Sequence, residues 1–250
     1  MKNCRRCGFK KWIKTETPKW IGSGDRKVRV RKCANCGEEQ AEEFPFFKNK
    51  PSEFYFDIER SPGLAYYYDR KVDYIPTHML KTEPFIICWA AGWVTDCDDF
   101  QYVSSMVVTP EEALRRDDRR ILKALWGLLD IADRVIGHNV NGFDVKKVNN
   151  RFIQHDMGLP YESKTIDTLV LSRKHFPFES NGLDYIAVKL GGRPKLDIGW
   201  DDWRQIVETG NDAKLIQAER YCRGDVREGI KVYKFMKRTI ETSGRRLIKL

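Results

Sequence analysis

No stretch of this chain is apolar for the roughly 18 residues that a membrane-crossing helix needs. The opening Met1-Lys2-Asn3-Cys4-Arg5-Arg6 also lacks the apolar segment of a secretion signal. An intracellular protein (cytoplasmic, or nuclear in a eukaryote) with no membrane partner is expected. The seven cysteines, an odd count, do not suggest the disulfide framework of a secreted domain. Internal repeats and low-complexity tracts are absent as well. With 41% hydrophobic and 32% charged residues, the 250-residue chain reads as globular, long enough for one sizeable core and a small module.

Most of the chain also lacks the charge excess that the total suggests. Residues 1–50 hold 14 Lys and Arg against 6 Asp and Glu, whereas residues 51–250 hold 31 against 30. Nearly all of the net charge of +9 therefore lies in the first fifth. A basic module joined to a nearly neutral body suggests polyanion binding at one end, with a solvated charged face as the plain alternative.

That module contains two Cys-x2-Cys-Gly knuckles, Cys4 with Cys7 and Cys33 with Cys36. Four thiolates suit a tetrahedral Zn²⁺, and glycine after the second cysteine tolerates the tight knuckle turn. So short a segment builds little core alone, so metal binding would supply its folding energy. A zinc ribbon over residues 1–44 is expected, a redox Cys-x2-Cys pair being the competing reading. Between the knuckles, Lys10, Lys11, Lys14, Arg29 and Arg31 interleave with Trp12. Cations meeting phosphates while aromatics stack on bases is a recurrent way of holding single strands. The tryptophans could instead form the ribbon's small core, and a ribbon can also bind a protein partner.

After a linker at 45–52, the run Phe54-Tyr55-Phe56-Asp57-Ile58-Glu59 reads as a buried strand. Strand alternation puts Asp57 and Glu59 on one face, where their charges repel unless a cation lies between them. Asp144 follows the apolar Val135-Ile136 and the turn-rich Gly137-His138-Asn139-Val140-Asn141-Gly142-Phe143. Asp225 closes Tyr221-Cys222-Arg223-Gly224-Asp225 in a late helical pattern. A strand, a strand-end loop and a helix could bring all four carboxylates to one divalent-metal site.

At these positions the chain resembles the DEDD superfamily of 3′–5′ exonucleases. Asp57 and Glu59 match its Asp-x-Glu motif; Asn139, Phe143 and Asp144 match Asn-x3-(Phe/Tyr)-Asp; Tyr221 and Asp225 match the Tyr-x3-Asp of the tyrosine branch. The other branch carries His five residues before its last Asp, where this chain has Arg220. Phe56-Asp57-Ile58-Glu59 is also similar to the proofreading exonuclease domain of family B DNA polymerases, although no polymerase body follows. The resemblance, over roughly residues 53–240, implies a ribonuclease-H-like α/β fold, a mixed sheet flanked by helices, extending over 53–245 beside the zinc ribbon. It implies two Mg²⁺ or Mn²⁺ ions held by Asp57, Glu59, Asp144 and Asp225. It also implies a water-orienting Tyr221, a positioning role for Asn139, and single-stranded 3′ ends as substrate. A structure-specific endonuclease on the same fold and an inactive nucleic-acid-binding adaptor are the competing functions.

The remaining pattern predicts strands over 84–94, 100–108, 135–136 and 165–171. Helices are predicted over 110–133, from 144 to about 155, and through most of the chain after Gly182. Asp167 is expected to be an ordinary strand-end carboxylate. His138 and His175 are candidate phosphate contacts, though a lone histidine is more often a structural hydrogen bonder. Cys88, Cys97 and Cys222 are expected to be packing residues, and Trp200 and Trp203 core residues.

Overall fold

The computed structural model describes residues 51–68, 71, 73–95, 103–160, 163–176 and 178–243, together with four backbone strands and the turn at 35–36. The chain divides into two units, Met1–Ser52 and Glu53–Leu250.

In the first unit β1 (Trp12–Lys14), β2 (Lys19–Trp20) and β4 (Glu39–Phe44) all pair antiparallel with β3 (Lys27–Cys33). The register sets Trp12 opposite Cys33 and Arg31 opposite both Lys14 and Gln40. Cys33 ends β3, and Cys36 lies half-buried in the turn that follows. Cys4, Cys7, Lys10, Lys11 and the linker at 45–50 lie outside the described residues, as do the side chains of Trp12, Lys14, Arg29, Arg31 and Cys33.

The second unit is built on β5 (Glu53–Arg60), whose aromatic and β-branched residues are buried. A short ribbon of β6 (Leu64–Ala65) and β7 (Leu80–Thr82) leads to β8 (Ile86–Trp93) and β9 (Val103–Val107). Then come α1 (Pro110–Arg115), α2 (Arg119–Ile131), β10 (Arg134–Gly137), α3 (Asp144–Gln154) and β11 (Lys164–Asp167). The chain continues through α4 (Thr168–His175), α5 (Leu183–Lys189), α6 (Trp200–Thr209) and α7 (Asp212–Ser243). One five-stranded sheet runs β11-β10-β5-β8-β9, with β5 antiparallel to β8 and parallel to β10. A mixed sheet flanked by helices is the architecture that the sequence predicts.

α2 turns Ile121, Leu122, Leu125 and Leu129 into the core, the spacing that identifies it as a helix. α7 does the same with Leu215, Ala218, Cys222, Val226, Ile230 and Tyr233, and it packs on β5, β8 and β9. Its approach to β5 is close. A side chain at Gly229 would run into the Tyr55 ring and hydroxyl.

Two predicted elements differ from the structure. The single helix over 110–133 is two, because Arg116 is left-handed (φ 56°) and Asp118 turns inward between them. Asp118 is fully buried and accepts the Ile86 amide at 2.7 Å, the Arg151 guanidinium at 2.7 and 2.8 Å, and His155 Nε2 at 2.5 Å. It ties α2, α3 and the start of β8 together. Asp118→Ala would strand a buried guanidinium and an amide, and we expect it to lower unfolding free energy by about 3–5 kcal/mol, read by chemical denaturation. The predicted strand over 165–171 stops at Asp167, because that carboxylate accepts the Leu169 and Val170 amides and starts α4.

Candidate active site

Asp57 and Glu59 project from the same side of β5 near its end, each partly exposed amid buried neighbours. Asp144, the first residue of α3, is 2% exposed and its Oδ1 accepts the backbone N–H of Ile58 at 3.3 Å. The helix start is thereby pinned to the strand between the two β5 carboxylates. Asp225, 8% exposed, comes from the middle of α7, and Cys222 one turn earlier lies against Asp57. Donor atoms of Asp57, Glu59 and Cys222 lie within 4.8 Å of one another.

Crowding shows in the acidities. Burial, then the charge of Asp225, pushes the Asp57 carboxyl up to about 7, against the opposing pull of Lys195 and the Cys222 thiol. Burial and the neighbouring carboxylates likewise raise Glu59 and Asp144 well above the usual range. Asp225 is raised by burial although Lys195 holds it back. Asp57 and Glu59 lie close enough to share one cation, which would relieve their repulsion, and carboxylate oxygens are hard donors of the kind that suit Mg²⁺ or Mn²⁺.

The soft thiol of Cys222 suits such hard ions less well than a carboxylate does. Burial pushes its thiol well up, so it stays protonated and donates to the Asp57 carbonyl at 3.4 Å and to Oδ2 at 3.6 Å. The expected packing role is therefore incomplete, because this side chain also orients Asp57. Cys88 is simply buried, and Cys97 lies outside the described residues.

The loop before Asp144 is set by backbone geometry. Asn139 adopts a left-handed conformation (φ 64°), and its amide donates to Asp167 Oδ1 at 2.9 Å while the Asn141 amide donates to Oδ2 at 3.2 Å. Asp167 thus caps α4 and clamps this loop, more than the ordinary strand-end role expected of it. A side chain at Gly142 would collide with the Asn139 carboxamide. Asn139 and Phe143 are parts of the loop wall, Phe143 being 37% exposed with the Lys147 ammonium 5.9 Å from its ring centre.

Histidine chemistry here is structural. His138 Nε2 lies 2.9 Å from the Asn181 carbonyl, which makes it the protonated nitrogen, and Nδ1 is 3.0 Å from Thr168 Oγ1. Both nitrogens are engaged within the fold, so His138 is a structural hydrogen bonder and not a phosphate contact. His175 ends α4, exposed, beside Phe176.

Tyr221 lies one helical turn before Asp225, its ring edge-on to Trp203 at 6.4 Å. Burial raises its hydroxyl against the influence of Lys195, so it is a neutral donor at neutral pH. Trp203 packs against the core as expected, whereas Trp200 is 67% exposed because it stands at the first position of α6, beyond the core's edge.

Lys195 escaped the sequence reading altogether. From the segment between α5 and α6 it meets Asp225 Oδ2 at 2.7 Å and lies 4.4 Å from the centre of the Tyr221 ring. Burial disfavours its charge, but Asp225 more than compensates and the ammonium stays fully protonated. No motif marks a lysine in Arg193-Pro194-Lys195-Leu196. Tyr66, Tyr67, Tyr68 and Tyr74 are all exposed in the connection between β6 and β7, which follows the β5 carboxylates in the chain.

A family model described as the RNase H superfamily matches residues 77–237. The chain belongs to the RNase H superfamily. In this RNase H superfamily domain the matched span holds Asp144, Tyr221 and Asp225 and begins after Asp57 and Glu59. The β5 pair joins that span through the pairing of β5 with β8 and β10. Superfamily membership and the mixed sheet together give the ribonuclease-H-like α/β fold, and membership points to nucleic-acid hydrolysis with divalent metal. A search of curated proteins found no match. Among the described residues no helix is long and apolar enough to cross a membrane.

Proposed function

We propose that this chain is a two-metal-ion 3′–5′ exonuclease of the tyrosine DEDD branch that hydrolyses DNA or RNA strands to 5′-nucleotides. The observation that supports it best is the mutual influence of Asp57, Glu59, Asp144 and Asp225, whose acidities are raised by burial and by one another's charge. These four carboxylates would hold two Mg²⁺ or Mn²⁺ ions, which supply an activated water and charge stabilisation at the phosphate. Tyr221, neutral at working pH, would orient the attacking water through its hydroxyl rather than take its proton. Water adds to phosphorus, the bond to the 3′ oxygen breaks, and the shortened strand leaves with a 3′ hydroxyl. The exposed tyrosines after β5 would stack on bases of the incoming strand. Residues 1–44, as a zinc ribbon holding one structural Zn²⁺ on Cys4, Cys7, Cys33 and Cys36, would add a further basic contact to nucleic acid. The same module could instead engage a protein partner.

Lys195 would act through its neighbours, fixing Tyr221 and keeping Asp225 ionised. Lys195→Met is expected to lower turnover by about 10²-fold, the scale of losing one preorganised charge. Without the ammonium the carboxylates protonate at higher pH, so the acidic limb of the pH–rate profile should move upward. A merely structural lysine would leave that limb in place, and Lys195→Arg should recover part of the rate.

The deciding experiment gives the protein 5′-labelled single-stranded DNA and RNA, and circular single strands, with Mg²⁺ or Mn²⁺. A ladder shortening from the 3′ end with circles left intact is expected. Cut circles would establish an endonuclease instead. Binding with no cleavage of any strand would establish the adaptor.

A further inference from the structure

Beside the carboxylate site, and sharing Asp225 and Lys195 with it, lies a cleft of about 720 Å³ between α7, the start of α5 and the 193–196 segment. Its walls carry six cations (Arg193, Lys195, Arg220, Arg223, Arg227 and Lys231) against three carboxylates. Two of those carboxylates are already matched within the cleft, Asp225 by Lys195 and Glu228 by Lys231, each at 2.7 Å. Arg193, Arg220, Arg223 and Arg227 have no ion-pair or hydrogen-bond partner among the described residues. Four unpaired guanidiniums around one concavity repel one another, and a polyanion is the ligand that relieves this.

The geometry points to this cleft as a second nucleic-acid subsite that takes the phosphodiester backbone of the substrate, with the bases turned away. Arg220, Arg223, Arg227 and Lys231 recur at helical spacing along one strip of α7. At about 1.5 Å per residue that strip is roughly 16 Å long. It could follow several successive phosphates of one strand. A mononucleotide would meet only part of it. No aromatic or histidine side chain lines the cleft among the described residues, so there is no platform for stacked bases. Guanidiniums alone recognise phosphate, independent of sequence. Asp225 lies within the strip, between Arg223 and Arg227, and lines the same cleft, so a backbone lying there passes beside the carboxylates. The inference rests on the exonuclease reading for which polymer is bound, but its test is separate.

Binding of the full-length protein to a 20-nucleotide labelled strand is measured by fluorescence anisotropy over a salt series, without added Mg²⁺ or Mn²⁺. The same series uses a strand of equal length made of abasic residues. Removing three phosphate contacts in the variant R220Q/R223Q/R227Q should flatten the slope of log affinity against log salt by about 2–3. We expect its affinity to fall by about tenfold or more at physiological salt, to the same extent on the abasic strand. The triple lysine variant R220K/R223K/R227K, which keeps the charge, should retain most of the wild-type slope. An unchanged slope in the glutamine variant, a difference that disappears on the abasic strand, or equal losses in the lysine and glutamine variants would each overturn the proposal. If the wild type cleaves nothing yet the arginine-dependent slope survives, the exonuclease reading fails and the subsite stands. If it trims 3′ ends while the arginines leave the slope unaltered, the reverse holds.

Discussion

Replacing Asp57 with alanine is expected to lower metal-dependent cleavage by about 10³-fold or more, the upper end of what losing one electrostatic element of a site removes. The expectation follows from position. Asp57 is the carboxylate that Glu59, Asp144 and Asp225 all crowd, and the Cys222 thiol orients it. Removing it opens the shared centre of the donor set, not its edge. The fold should survive, because in the absence of metal Asp57 contributes repulsion, so its loss relieves the β5 environment. Melting of the variant without divalent metal is therefore expected at or above the wild-type temperature. Asp57→Asn separates charge from shape: it keeps the side-chain volume and should be as inactive as alanine. Substantial cleavage by either variant in a single-turnover gel assay would remove Asp57 from the site.

The second large effect is on stability. Asp57 titrates near 7 in the folded chain, against about 4 for an unperturbed aspartate. The folded state thus holds a proton between those values that the unfolded chain has lost. Stability without divalent metal is accordingly greatest below about pH 4 as far as this group is concerned, falls as pH rises towards 7, and is lowest above it. The raised Glu59 and Asp144 act in the same direction. A cation bound by the four carboxylates reverses the trend, because it favours the ionised forms. At about a hundred times its dissociation constant a ligand adds about 2.7 kcal/mol. For a unit of this size that amounts to about 5–10 °C in melting temperature. Calorimetry at pH 5 and pH 8 with and without Mn²⁺ tests this directly. The increment should be large at pH 8 and small at pH 5; equal increments would show that the ion binds elsewhere.

Both predictions use residues that are legible in the sequence alone, and the reason is physical. Asp57, Glu59, Asp144 and Asp225 are polar groups inside or at the ends of apolar elements, which is conspicuous in a one-dimensional pattern. The sheet was legible for a similar reason: β8 is a continuous apolar run, and β5 carries the aromatic and β-branched residues Phe54, Tyr55, Phe56 and Ile58. What the pattern could not reveal depends on three-dimensional partners. Asp118 breaks a helix because Arg151, His155 and the Ile86 amide wait for it, none of them near it in sequence. Asp167 ends a strand by capping, a choice between two local structures that apolar residues 169–171 leave open. Lys195 reaches Asp225 across 30 residues from a segment with no periodicity, and the arginine strip of α7 reads as an exposed helix face until the cleft beside it is seen.

The site also imposes a schedule on biosynthesis. A nascent chain that has reached residue 210 already holds every strand of the sheet, yet it lacks α7, and with it Asp225, Tyr221 and the arginine strip. Until that last helix leaves the ribosome, the faces of β5, β8 and β9 that it covers stand bare. Such an intermediate is exposed to aggregation and chaperone capture, and it lacks Asp225. Docking of α7 buries that apolar surface and brings Asp225 beside Asp57. On the proposed function, a chain without α7 would therefore be unable to cleave nucleic acid.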